Sequence, residues 1–209
     1  MIRAGLLLAA GASRRFGTED KLLASLQGRP LIAHAAQAMR EAPLERRIAV
    51  IANPALSAHL EGFQIVTIPP GAQSDSLRAG LSAAGRPDRL LVALADMPFV
   101  DAAHLGRVLS AATDETPSAS RDRGPPMPPS CFPASWLDRL MTLEGDRGAG
   151  SLIHNLPAAS VIPATRLLAD IDTASDLKRE EAAENDRPSH SFQIPPGSEG
   201  GAPDRRGTR

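Results

Sequence analysis

Hydrophobic positions follow two rhythms along this chain, and the rhythms alternate. "AGLLLAA" (residues 4–10) is an unbroken apolar run of strand length, the pattern of a parallel strand buried on both faces. "PLIAHAAQAMREA" comes next, with Leu31, Ala35, Ala38 and Met39 at helical spacing and Pro30 suited to a first helical position. "RRIAVIA" (46–52) predicts a second strand. Pro54 opens a short helix that Gly62 ends, and "FQIVTI" (63–68) predicts a third strand. "PPGAQSDS" reads as a loop and "SLRAGLSAA" as a helix capped by Ser74 or Asp75. "DRLLVALADMP" (88–98) predicts a fourth strand stopped by Pro98, and Asp101 caps the helix "AAHLGRVLSAA".

Strands and helices joined this briefly predict an α/β fold: a Rossmann-like, doubly wound, mainly parallel sheet flanked by helices. Sheets of this kind bind ligands beyond the carboxyl ends of their strands. The loops after the first, third and fourth strands are therefore where chemistry is expected. The rhythm then loosens. Residues 113–130 are rich in Pro, Ser, Thr and charge and read as a loop. "SWLDRLMTL" reads as a helix, "GDRGAGSLIHNL" as a turn into another, "ASVIP" as a strand and "DID" as a strand end. "TASDLKREEAAE" is a helix starting at a Thr cap. From Arg187 the composition turns to Pro, Gly, Ser and charge, too poor in large apolar side chains to offset ordering entropy. The expected organisation is one domain over residues 1–186 and a disordered tail over 187–209.

Composition narrows the function classes. Aromatic residues make up 3% of the 209 residues and Tyr is absent, which argues against stacking platforms for single-stranded nucleic acid. A net charge of −1 provides no global basic surface for nucleic acid or anionic membrane. No apolar stretch approaches the roughly 20 residues that span a bilayer. The apolar run at the N-terminus is short and followed by arginines, so it reads as a strand rather than a signal peptide. Cys131 is the sole cysteine, so no intrachain disulfide can form, which fits a reducing, cytoplasmic setting.

Against that near-neutral background, the first loop concentrates cations. In "LLLAAGASRRFGTEDKLL", Gly11 lets the main chain approach a ligand, Arg14, Arg15 and Lys21 supply charge, and Ser13 offers a hydroxyl. Oxyanions such as phosphates need inward N–H groups and fixed cations of this kind. The dinucleotide fingerprint G-x-G-x-x-G is absent, as is a P-loop ending in Gly-Lys-Ser/Thr. The loop is a phosphate cradle or a charged surface turn, and its position after a strand does not separate the two. Asp96 ends the fourth strand. A carboxylate facing the crevice there is costly unless a cation neutralises it, so it is a Mg²⁺ ligand or a cap of the turn before Pro98.

Leu8-Ala9-Ala10-Gly11, Ser13, Arg15, Gly17 and Lys21 together resemble the "L-A-A-G-x-S-x-R-x-G…K" signature of the MobA-like nucleotidyltransferase superfamily. One difference is the three residues, Thr18 to Asp20, between Gly17 and Lys21, where members often have two. The resemblance runs over residues 4–180. "PPGAQSDSLRAGL" resembles the loop that holds the nucleotide base, implying roles for Gly71 and Ser76. "LADMP" resembles the family's "L-x-D-x-P", and "DIDTASDL" its second acidic motif, with Ala174 in place of Pro. The resemblance implies a fold of the nucleotide-diphospho-sugar transferase type. It implies nucleotide binding by Ala9, Ala10, Gly11, Ser13, Gly71 and Ser76, and catalysis by Arg15 and Lys21. It also implies a metal, Mg²⁺ or alternatively Mn²⁺, on Asp96 and Asp172. "GDRGA" is similar to a segment of the molybdenum cofactor cytidylyltransferases, which puts Asp146 and Arg147 near the acceptor.

The implied activity is transfer of CMP from CTP to the phosphate of a molybdopterin-type molybdenum cofactor, with pyrophosphate released. Ala10 carries the choice of CTP, because "L-A-A-G" is the form of the cytidine users and "L-A-G-G" that of the guanosine users. A molybdenum hydroxylase is the implied macromolecular partner. Three rivals remain: a guanylyltransferase, a methylerythritol phosphate cytidylyltransferase, and a non-catalytic chaperone that binds nucleotide and cofactor.

Overall fold

In a computed structural model describing residues 1–11, 16, 20–145 and 148–185, the first apolar run becomes strand β1 (Arg3–Ala9) at the middle of a seven-stranded sheet. Both of its faces are covered, so its side chains need no polar alternation. Leu6 enters one core and Leu7 the other, each fully buried. A small hairpin, β2 (Ser25–Leu26) and β3 (Arg29–Pro30), turns through Gln27 and Gly28, both at positive φ. Helix α1 (Leu31–Glu41) follows directly. Pro30 is its N-cap rather than its first residue, because Pro30 still belongs to the hairpin.

Next come β4 (Arg46–Ile51), a 3-10 turn over Pro54–His59, β5 (Gln64–Thr67) and α2 (Gln73–Ala84). They are followed by β6 (Arg89–Leu94) and α3 (Ala102–Ala111). Asp101 caps α3 as expected, accepting from the His104 N–H at 2.7 Å. Helix α2 begins earlier than expected. Its N-cap is Ala72, and Asp75 reaches back to the Ala72 N–H at 3.3 Å. Ser74 cannot serve as the cap because it is buried, its N–H donating to the Gly145 carbonyl at 3.2 Å.

The stretch expected to be a proline-rich loop instead contains two strands, β7 (Ser118–Arg121) and β8 (Met127–Pro133). Pro128 and Pro129 fall where the β7–β8 register shifts, and Pro133 pairs with Arg89 at the very start of β6. Those are the places where a strand does not need a ladder N–H. Helix α4 (Leu137–Met141), β9 (Val161–Pro163) and α5 (Ala174–Asn185) complete the α-helices and strands of the described residues. Residues 170–172, expected to end a strand, lie outside any strand.

The sheet order is β5-β4-β1-β6-β8-β7-β9, and among the described strands of this sheet β8 alone runs against the others. Helices α1 and α3 cover one face, α2 and α4 the other. Gly80 lets α2 lie close on the sheet, since a Cβ there would run into Leu6 and stand 2.9 Å from Val50. His104, fully buried, fastens α3 to β7 through Nε2 and the Ser120 hydroxyl at 2.7 Å. Burial pushes the Cys131 thiol up to about 12, so it packs and does not react. The chain reverses its direction of travel across the sheet beside β1, which brings the loops after β1 and β6 together. No helix among the described residues is long and apolar enough to cross a membrane.

Candidate active site

Three charged side chains from widely separated parts of the chain meet at this carboxyl edge. Lys21 Nζ donates to Asp96 Oδ2 at 2.8 Å and to Asp172 Oδ1 at 2.7 Å. The lysine is 12% exposed and the two carboxylates 23% and 37%. Burial works against the Lys21 ammonium, but the charges and hydrogen bonds of Asp96 and Asp172 outweigh it, and its pKa lies above the ordinary lysine value.

Each member is held by its own local structure. Lys21 opens a 3-10 turn, Lys21–Leu23, capped by Asp20, whose Oδ1 accepts from the Leu22 N–H at 3.0 Å. The other Asp20 oxygen accepts from Asn53 Nδ2 at 3.0 Å, which ties the turn to the end of β4. The extra length between Gly17 and Lys21 thus ends in a capped, braced turn. Asp96 stands two residues beyond β6, and its carbonyl accepts from the Ile171 N–H at 3.0 Å. Asp172 precedes a reciprocal cap. The Thr173 N–H donates to Asp176 Oδ2 at 2.8 Å, and the Asp176 N–H donates back to Thr173 Oγ1 at 3.1 Å. Beneath all three, Phe16, Leu26, Leu31, Phe99, Ile171 and Leu177 form a small apolar cluster joining the first loop, the hairpin and both acidic segments.

Asp170, two residues before Asp172, sits at the rim of this charge cluster. Desolvation raises its carboxyl above the usual range, and the Asp172 and Asp96 charges add to the rise against the opposing pull of its own backbone and Lys21. Asn53 and Asp20 carry no sequence motif. Only the pairing of Asn53 with Pro54 as a helix start hinted that Asn53 has a capping role, and its Oδ1 does accept from the Ala55 N–H at 3.0 Å.

The other expected site residues divide into two groups. Ala9 and Ala10 are buried at the end of β1, and Gly11 is exposed beyond them. A Cβ on Gly11 would meet no atom of the described residues within 4 Å. Gly71 is exposed before α2, where a Cβ would come 3.2 Å from Asp75 Oδ2, and Ser76 is buried in the first turn of that helix. Gly145 and Gly148 lie against this same helix start. Ser74 donates to the Gly145 carbonyl, Arg78 to the Leu143 carbonyl at 2.5 Å, and the Gln73 side chain packs directly on Gly148. Ser13, Arg14, Arg15, Asp146 and Arg147 lie outside the described residues, as does the tail expected over 187–209.

A divalent cation fits the two carboxylates. Asp96 Oδ1 is buried with no hydrogen-bond partner, an acceptor left open while Oδ2 takes Lys21. No group of three or more His, Cys, Asp or Glu side chains among the described residues makes a protein-only cage. Two carboxylates completed by substrate oxygens is the manner in which Mg²⁺ is commonly held.

Residues 5–161 match the family model described as MobA-like NTP transferase domain. A molybdenum cofactor guanylyltransferase of Pseudomonas fluorescens is 32% identical over 173 residues, covering 75% of this chain and 82% of that one. Nicotine blue oxidoreductase of Paenarthrobacter nicotinovorans is 34% identical over 111 residues, spanning 50% of this chain and only 54% of that enzyme. Among solved structures, Rv0371c of Mycobacterium tuberculosis H37Rv superposes with a TM-score of 0.74 at 25% identity, over 87% of this chain and 99% of that one. The same mycobacterial protein has also been solved in complex with manganese. By the extent of these matches and the fold they share, the chain belongs to the MobA-like NTP transferase family.

Proposed function

We propose that this protein transfers a nucleotidyl group, CMP in the favoured reading, from a nucleoside triphosphate to the phosphate of a molybdopterin-type molybdenum cofactor. The observation that carries the reading is the meeting of Lys21, Asp96 and Asp172 at the carboxyl edge of the sheet. An oxygen of the acceptor phosphate forms a bond to the α-phosphorus. The bond from that phosphorus to the β-bridging oxygen breaks, and pyrophosphate leaves with the electron pair. A phosphate nucleophile is already ionised near neutral pH, so the site needs no general base. Positioning and charge compensation supply the catalysis.

Asp96 and Asp172 would hold a divalent cation, which supplies neutralising charge to the phosphate oxygens. The manganese complex of the mycobacterial relative supports such a cation. Lys21 keeps the two carboxylates together with two of its three N–H donors and would turn the third to a phosphate oxygen. Arg15 would extend the same cationic wall. Gly71, Ser76 and the start of α2 would receive the base, and Asp146 and Arg147 would flank the acceptor.

The nucleotide divides the support. The "L-A-A-G" form resembles the cytidine users, whereas the Pseudomonas relative is named a guanylyltransferase. Pyrophosphate release measured with each of the four nucleoside triphosphates, with molybdopterin present, tests both levels. CTP-dependent release is expected. Preference for GTP overturns the cytidine assignment alone, and absence of release with every nucleotide overturns the function.

A further inference from the structure

Arg121, the last residue of β7, is half-buried, and its Nε is buried with no hydrogen-bond acceptor. Its guanidinium enters no ion pair among the described residues. A buried donor left unpaired is costly, and a guanidinium is built to grip oxyanions through a fork of N–H groups.

The position of Arg121 is specific. β7 runs parallel to β6, because both are antiparallel to β8 between them, so Arg121 lies at the same sheet edge as Asp96. Its carbonyl accepts from the Ala164 N–H at 2.9 Å, and the chain from Ala164 leads straight to Asp172. Side chains along β7 alternate. Ser118 and Ser120 bond to α3 residues Val108 and His104, while Ala119 joins the core under α2. Arg121 therefore faces the α2 side. Ser130, across from Ala119 on β8, shares its face with Phe132 of that same core, and its Oγ is likewise buried and unpartnered. Two neighbouring strands thus present unsatisfied polar atoms to one face, Ser130 in mid-sheet opposite Val92 and Arg121 at the active edge.

The Gly11 loop and α2 belong to the β5-β4-β1 half of the sheet, and β6 carries Asp96. The β8-β7 half is left for the second substrate. Two strand spacings of about 4.8 Å place the β7 backbone roughly 10 Å from that of β6, on the side of the edge away from β1 and β4.

We infer that Arg121 anchors the acceptor by a second oxygen-bearing, electron-rich group, on the β7 side of its reacting phosphate. This rests on the proposed function and deepens it. Arg121→Ala and Arg121→Lys would be titrated with molybdopterin in the presence of a non-hydrolysable CTP analogue, and their rates measured with acceptor and CTP varied in turn. The acceptor Kd and KM should rise at least tenfold in Arg121→Ala and less in Arg121→Lys, with the KM for CTP and the melting temperature of the lysine variant unchanged. Unchanged acceptor affinity in both variants, or an equal rise in the KM for CTP, overturns the assignment while leaving the function standing. Wild-type protein that neither binds nor turns over molybdopterin overturns the function, and the Arg121 assignment falls with it.

Discussion

Replacing Lys21 with Met keeps most of the side-chain volume and removes the positive charge that bridges Asp96 and Asp172. Both carboxylate oxygens lie within 2.8 Å of the ammonium, so they stand close to each other as well. At about 5.5 Å and an effective dielectric near 20, two negative charges repel by about 3 kcal/mol. Asp172 is 37% exposed, and solvent screening there reduces the expected loss to about 1–2 kcal/mol. For a chain of this size that is a fall of roughly 2–8 °C in Tm. The wild-type pair should not show this loss anywhere near neutrality. A raised lysine pKa gives stability that is fully present below the unfolded value and lost only as pH climbs through the folded one. Differential scanning calorimetry with EDTA, Mg²⁺ or Mn²⁺ completes the test. Without lysine to compete for the carboxylates, Lys21→Met should gain more Tm from either cation than the wild type does. A variant as stable as the wild type, with no extra cation response, would refute the idea that these carboxylates need a shared cation.

Two further outcomes follow from the scaffold. Gly80→Ala drives a methyl into the fully buried Leu6 and against Val50. Overpacking of about 1–3 kcal/mol should outweigh the roughly 1 kcal/mol gained in helix propensity, and a urea midpoint above the wild type would contradict this. Glu45, hydrogen-bonded by the Arg3 side chain and backbone, is held down to about 2 from 4.5. A depressed carboxylate contributes stability above its unfolded value and loses it as pH falls through the folded one. Glu45→Gln should therefore be slightly less stable than wild type above pH 4.5, with the difference closing towards pH 2. A difference that persists at pH 2 would show that charge is not its source.

Much of the fold is legible in the sequence because β1, β4 and β6 are buried on both faces and need unbroken apolar runs. The β7–β8 hairpin is not legible, because its strand signals are overridden by prolines that local propensity treats as breakers. Only the assembled sheet reveals that Pro128 and Pro129 stand at a register shift and Pro133 at a strand end. The start of α2 is misplaced for a similar reason. Ser74 is a good cap by chemistry, but the tertiary contact with Gly145 draws it inside. At the site, the two acids and the lysine can each be picked out from motif positions. Their convergence cannot, since Lys21 lies 75 residues from Asp96 and 151 from Asp172. The Asn53–Asp20 brace, the crowding of Asp170 and the unpaired Arg121 have no local pattern at all. They arise only where separate loops meet over the sheet.

Asp96 and Asp172 are the proposed centre of nucleotidyl transfer. The most direct measurement follows a label on the α-phosphate of CTP into molybdopterin, for the wild type, Asp96→Ala and Asp172→Ala, with circular dichroism to confirm folding. The account predicts label in a pterin dinucleotide with the wild type and a loss of about 10²–10³-fold or more in each folded variant. Label transfer by either alanine variant at the wild-type rate would contradict it.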